Sequence, residues 1–226
     1  MPMKITYLGQ AGYFFERAGC KVMIDPYFSN SVVKVNPRNY RRYEVEEWVF
    51  SLKPDVMIFT HDHLDHYDPE TVPHFVSEQS DLTVLAPWSV YEKVRKIGGS
   101  NNYVVFEPGT QWTQGGIAFT SVTAKHSDPY AIGVILDDGQ RKYYHTGDTL
   151  YYEEIFKELP KDIYALFLPV NGVGNNMNMV DAARFAQKVG AQNVVPMHTG
   201  LFDSLNATDF SLSNKVIGVP FKTLQL

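Results

Sequence analysis

The sequence predicts an α/β protein in which two mixed sheets pack face to face with helices outside. Three observations carry this. The chain opens with short alternating runs joined by tight turns, as antiparallel sheets do. Strand-like and helix-like segments then alternate, and the residues richest in chemistry stand where strand-like runs end.

Ile5 to Leu8, Tyr13 to Glu16 and Lys21 to Ile24 read as strands, the last two joined at Ala18-Gly19. Residues 25–43 carry Pro, Asn, Ser and Arg without a period, which predicts a long functional loop or lid. Val45 to Leu52 predicts a short amphipathic helix stopped by Lys53-Pro54, and Val56 to Phe59 a buried strand. Asp68-Pro69-Glu70 has the character of a helix first turn, and the helix should run to about Glu78. Strand Leu82 to Ala86, helix Ser89 to Ile97 closed by Gly98-Gly99, and strands Tyr103 to Phe106 and Ile117 to Thr123 follow. Asp137-Asp138-Gly139-Gln140 marks a hairpin between Ala131 to Leu136 and Arg141 to His145. The last quarter predicts helix Tyr151 to Leu159, strand Ile163 to Val170, helix Met179 to Val189 and strand Asn193 to Met197.

At 226 residues, 44% hydrophobic and 20% charged, the chain is expected to form one domain with a sizeable core. No apolar stretch approaches the ~20 residues of a membrane span. A single cysteine, Cys20, and an N-terminus that enters strand-like alternation directly predict a cytoplasmic protein. The net charge of −5 disfavours nucleic acid as a partner. Lys34, Arg38, Arg41 and Arg42 nevertheless cluster in the early loop and offer an anion-binding patch, against which stands a merely solvated charged loop.

The chemistry concentrates in Thr60-His61-Asp62-His63-Leu64-Asp65-His66. Three imidazoles and a carboxylate directly after a buried strand serve no packing need, and they are the ligands divalent transition metals prefer. His61 and His63, two apart, can reach one ion, and Asp65 and His66 a second. Three further candidates end later strand-like runs: His126, Asp148 and His198. Asp25 and Thr60 suit either hydrogen bonds that orient ligands or ordinary cap and strand-end roles. Gln10 and Asn171 are candidate substrate contacts in Gly- and Asn-bearing loops. His74 reads as a packing or surface residue, and His145 as structural or as a support to the ligands.

The His-x-His-x-Asp-His run resembles the signature of the metallo-β-lactamase superfamily of hydrolases. That resemblance implies the four-layer αβ/βα sandwich and two divalent ions, zinc or manganese. It assigns His61, His63 and His126 to one ion and Asp65, His66 and His198 to the other, with Asp148 and a water or hydroxide bridging. Two such ions against two carboxylates and a hydroxide leave about +1, which favours a small anionic substrate. His63 stands where oxygen-reducing di-iron members of the fold have glutamate, which favours hydrolysis.

Further stretches, among them Ile-Thr-Tyr-Leu-Gly-Gln-Ala-Gly, Ile-Asp-Pro-Tyr-Phe-Ser-Asn-Ser-Val, Asn-Tyr-Arg-Arg and Leu-Pro-Val-Asn-Gly, are similar to the L-ascorbate-6-phosphate lactonase branch. The implied activity is hydrolysis of a phosphorylated sugar-acid lactone, with Asp65 orienting the nucleophile or accepting its proton and Arg38, Arg41 and Arg42 meeting the phosphate. The branch also leaves a homo-oligomer open. The alternatives are a phosphodiesterase of the same fold and, in another class, a noncatalytic metal-stabilised binding protein.

Overall fold

The computed structural model describes residues 2–17, 19–78, 80–201 and 205–226. The Ala18 half of the predicted turn lies outside them. Strands β1 (Lys4–Gly9), β2 (Gly12–Arg17), β3 (Cys20–Ile24), β4 (Val56–Ile58), β5 (Thr83–Ala86) and β6 (Asn102–Val105) form one sheet in that order. Its first two pairings are antiparallel and the other three parallel. The second sheet has the order β12-β11-β10-β9-β8-β7. Its strands are β7 (Gln111–Gln114), β8 (Ile117–Thr123), β9 (Ile132–Asp137), β10 (Lys142–His145), β11 (Ile163–Pro169) and β12 (Asn193–Met197). It too passes from antiparallel hairpins to parallel strands. Both sheets are therefore mixed, as predicted.

Strand periodicity decides which side chains meet. Tyr13, Phe15, Val22, Ile24 and Ile58 of the first sheet share one core with Phe119, Val134, Leu136, Phe167 and Val195 of the second. Each fully buried side chain of this kind contributes roughly 1.5–3 kcal/mol. The alternate residues face outward under helices. Phe14, Met57 and Val84 pack with α2 (Val72–Glu78) and α3 (Trp88–Val94) through Phe75, Val76, Val90 and Val94. Tyr144, Leu166 and Val194 pack with Phe185, Ala186 and Val189 of a helix over Met179–Val189. That helix has the predicted bounds: Asn178 Oδ1 accepts from the N–H groups of Val180 and Asp181, and Gly190 ends it with φ 71°.

Several expectations are corrected. The period-free stretch 25–43 contains a one-turn helix, α1 (Ser31–Val35), too short for a readable period. It is seated by Tyr27 and Val32 against Leu64 and Leu201. The predicted helices over 45–52 and 151–159 are 3₁₀ turns, Glu47–Ser51 and Glu153–Lys157. Extended backbone at Glu46 and Leu52 confines the first, and extended Tyr152 delays the second, where two aromatics give little helix support. The helix after the His loop starts at Val72, because Asp68 is buried and uses its carboxylate to accept from Ser29, Glu70 and Thr71. Strand β7 was not expected. Gly115 and Gly116, both at positive φ, make the two-residue turn that pairs Gln114 with Ile117. Among the described residues no helix is long and apolar enough to cross a membrane.

Candidate metal centre

The site forms where strand ends from both sheets meet. β4 delivers the 61–66 loop, β8 leads to His126, β10 to Asp148 and β12 to His198. Parallel β3, β4 and β5 point their carboxyl ends the same way, which collects these loops at one edge of the sandwich. A main-chain bond from Ile132 N–H to the Thr60 carbonyl, 2.9 Å, joins the sheets beneath them.

All seven predicted side chains come together. His63 Nδ1 lies 3.0 Å from His61 Nε2 and 3.1 Å from His126 Nε2, so three imidazole nitrogens converge. His66, Asp65 and His198 form a second group, with His198 Nε2 3.2 Å from Asp65 Oδ2 and His66 Nε2 3.6 Å from it. Asp148 stands between the groups: Oδ1 is 3.4 Å from His66 Nε2, while Oδ2 is 3.0 Å from His198 Nε2 and 4.0 Å from His126 Nε2.

Hydrogen bonds fix which nitrogen of each ring stays free. Thr60 Oγ1 donates to Asp25 Oδ2 at 2.5 Å, so it must accept from His61 Nδ1–H at 3.0 Å. His66 Nδ1–H donates to Asp25 Oδ2 at 2.7 Å, and His126 Nδ1–H to the Asn175 carbonyl at 3.2 Å. In all three rings Nδ1 is engaged away from the centre and Nε2 faces the cluster. Asp25 approaches His66 from the opposite side of the ring and accepts from its Nδ1–H, and it reaches His61 only through Thr60. His145 donates through Nε2 to the Ala11 carbonyl and accepts at Nδ1 from Gly147 N–H, a structural role three residues before Asp148. His74 packs between Phe50 and Phe75 and hydrogen-bonds the Phe50 carbonyl.

Burial and mutual charge polarise the set. Burial pushes the His61 imidazole well below its ordinary value, with nearby His66 adding to this, and burial likewise lowers His126. Burial also opposes charge on His66 and His198, yet the Asp148 and Asp65 carboxylates beside them win, raising His66 well above its usual value and His198 to about 9. Against the same burial, His66 and His198 hold Asp65 at about 2, and His198 and His66 hold Asp148 well below the usual carboxylate range. Carboxylates at this centre are therefore ionised.

The donor set fits divalent cations. Two buried atoms at its heart, His66 Nε2 and Asp148 Oδ1, have no hydrogen-bond partner among the described residues, an arrangement that a bound cation compensates. Gln10, Asp25 and His198 all sit at positive φ, 55°, 43° and 64°, which costs non-glycine residues of order 1 kcal/mol or more and clusters at functional sites. The Gln10 carbonyl is fixed by Tyr7 O–H at 3.0 Å and His198 N–H at 2.9 Å.

The predicted substrate contacts divide. Gln10 donates to Asp65 Oδ2 at 2.9 Å and so positions a ligand. Asn171 is buried, with both amide atoms unpartnered among the described residues. Arg41 donates to the Tyr27 and Ser29 carbonyls, at 2.9 and 2.8 Å, and lies over the Tyr27 ring. Its guanidinium pins the 25–43 segment to itself. Arg38 and Arg42 are exposed, and Lys34 pairs with Glu70. A cavity of about 230 Å³ opens on the cluster, lined by Asn39, Ser127, Val173, Gly174 and Asn176 besides His63, Asp65, Asp148 and His198. A larger one, about 520 Å³, lies against β7, β8 and β9 and includes none of the ligands. Sequence reasoning missed Asn39 and Asn176. Asn176 donates to Asp148 Oδ2 at 2.7 Å from a Gly/Asn-rich loop in which no residue spacing marks it.

A family model described as the beta-lactamase superfamily domain matches residues 21–199. The chain belongs to that superfamily. A UPF0173 protein of Pyrococcus furiosus is 27% identical over 234 residues, covering 99% of this chain and 97% of its own. A UPF0173 metal-dependent hydrolase of Thermoplasma acidophilum is 29% identical over 216 residues, covering 91% and 87%. Among solved structures, an isothiocyanate hydrolase from Delia radicum gut bacteria superposes with a TM-score of 0.77 at 19% identity, covering 99% of both chains. Fold, donor set and relatives together define the class, a metal-dependent hydrolase of the metallo-β-lactamase fold.

Proposed function

We propose that the substrate is a small hydroxyl-bearing lactone or comparable ester, opened by water at this centre. The observation that carries the reading is the cavity wall. Apart from the ligands it offers two neutral amides, Asn39 and Asn176, one hydroxyl, Ser127, and apolar Val173 beside Gly174, and no cationic side chain among the described residues. About 230 Å³ suits a substrate smaller than a drug-sized ligand. Amides and a hydroxyl exchange hydrogen bonds with substrate hydroxyls.

Divalent ions, when bound by the two histidine groups and Asp148, supply Lewis acidity and a water acidified towards neutrality. The chain does the rest. Asp65, ionised and with Oδ2 held by Gln10, orients the attacking water by accepting a hydrogen bond from it. Asn176 donates to Asp148 Oδ2 and so holds that carboxylate in its shared position. Buried Asp25 and Thr60 keep the His61 and His66 rings oriented.

The phosphorylated sugar-acid lactone of the sequence reading keeps its lactone half on these grounds. Its phosphate half rests on Arg38 and Arg42 alone, since Arg41 is engaged elsewhere. A panel of hydroxylated lactones, their deoxygenated analogues and bis-(p-nitrophenyl) phosphate, assayed with zinc- or manganese-loaded protein, tests the proposal. Hydroxylated lactones should give the highest kcat/KM. Preference for the phosphodiester would assign phosphodiester hydrolysis instead, and equal rates with and without substrate hydroxyls would remove the role given to the amides.

A further inference from the structure

Asp128 stands two residues beyond His126 and is only 8% exposed. Its Oδ2 accepts from Asp62 N–H at 2.9 Å and from Ser89 Oγ at 2.6 Å, and its Oδ1 accepts from Tyr130 N–H at 2.9 Å. Its carbonyl accepts from Ala131 N–H at 3.1 Å. Asp62 is the residue between His61 and His63. One carboxylate thus ties the backbone bearing two imidazoles to the loop bearing the third. The α3 helix closes the arrangement from outside: Lys93, one turn after Ser89, pairs with the Asp62 carboxylate at 2.5 Å. Asp128 makes no such bond to the Asp65, His66 and His198 group, which is supported through Gln10 and through Asp25, a residue that also reaches His61 by way of Thr60.

We propose that Asp128 is a positioning residue that sets the mutual geometry of His61, His63 and His126 and so governs the cation affinity of that half of the centre more strongly than that of the other. The inference rests on the metal-dependent reading above. Affinity for a cation depends on holding three donor atoms on one point, and the His126 loop bends directly into the β9 strand, so a shift of its backbone moves Nε2 with it. Each bond to Asp128 is charge-assisted, and losing it also strands the Asp62 and Tyr130 N–H groups.

Zinc titration of the full chain against a competing chromophoric chelator separates the two binding steps without recourse to turnover. Asp128→Ala should weaken one step by roughly tenfold to hundredfold, the range expected for a lost charged hydrogen bond, and leave the other within about twofold. Ser89→Ala, which removes one of the three side-chain bonds, should weaken the same step by less. Equal weakening of both steps, or none, overturns the proposal. If Asp128→Ala does not fold, as judged by circular dichroism, the Ser89→Ala result decides: an unchanged first group overturns it. Wild-type protein that binds no zinc would sink the metal-dependent reading itself, a separate outcome.

Discussion

Asn176 Nδ2 donates to Asp148 Oδ2 at 2.7 Å, and that same oxygen lies 3.0 Å from His198 Nε2. A neutral amide therefore fixes the carboxylate that the two histidine groups share, leaving Asp148 Oδ1 towards His66. Replacing Asn176 by Ala should leave the fold intact and reduce kcat/KM for a hydroxylated lactone by about tenfold to hundredfold, since a hydrogen bond to a charged group is lost. Asn176→Asp should cost more, because a second carboxylate beside Asp148 adds repulsion. Steady-state kinetics with metal analysis check this; full activity in both variants would remove Asn176 from the site.

The seven side chains that converge were legible because each ends a strand with readable periodicity, and His61 to His66 place four of them in one loop. The residues that orient them were less so. Asn176 and Asn39 lie in loops, where only three-dimensional closure tells a contact from a turn residue. Asp128 reads as an ordinary Asp-Pro turn. Arg41 shows the opposite case: a basic cluster reads as an anion site or as a solvated loop, and nothing in the sequence reveals that its guanidinium donates to the Tyr27 and Ser29 carbonyls. The 3₁₀ turns at 47–51 and 153–157 were misread as α-helices because five residues cannot distinguish the two periods.

Loading with zinc or manganese should stabilise the protein. A ligand that binds only the native state adds about 2.7 kcal/mol at a concentration one hundred times its Kd, which for a chain of this length corresponds to a rise in Tm of roughly 5–10 °C. Chelation should reverse the rise and abolish hydrolysis, and readdition of metal should restore both. Replacing Asp148 by Ala should cut the rise and reduce metal content below two ions per chain. A chelated protein with undiminished turnover would contradict the mechanism.

Gly147 precedes Asp148 at φ +60°, and a Cβ there would come within 2.5 Å of the Ile132 carbonyl and 3.0 Å of Thr60 Cβ. Neither neighbour is free to move, because Ile132 N–H is bonded to Thr60 and Thr60 to Asp25. Gly147→Ala should destabilise the protein by roughly 2–4 kcal/mol through overpacking and strain. It should also displace Asp148, so metal binding should weaken in the fraction that stays folded. Denaturant unfolding with and without zinc measures both; an unchanged midpoint would show that the turn can relax.

The three arginines of the 25–43 segment separate phosphate recognition from loop architecture. Arg41→Ala removes two charge-assisted bonds to the Tyr27 and Ser29 carbonyls and should impair phosphorylated and unphosphorylated lactones alike, because the segment also brings Asn39 to the cavity. Arg38→Ala and Arg42→Ala remove exposed cations, and neither guanidinium lines the cavity. If a substrate phosphate reaches them, KM for the phosphorylated lactone should rise by about tenfold, with the unphosphorylated analogue unaffected. On the cavity lining alone the expected result is little change for either substrate. The paired comparison decides, since only loss of a direct phosphate contact moves one KM without the other. A selective rise in both variants would restore the phosphorylated substrate, whereas equal small effects would confine recognition to Asn39, Ser127, Asn176 and the ligands themselves.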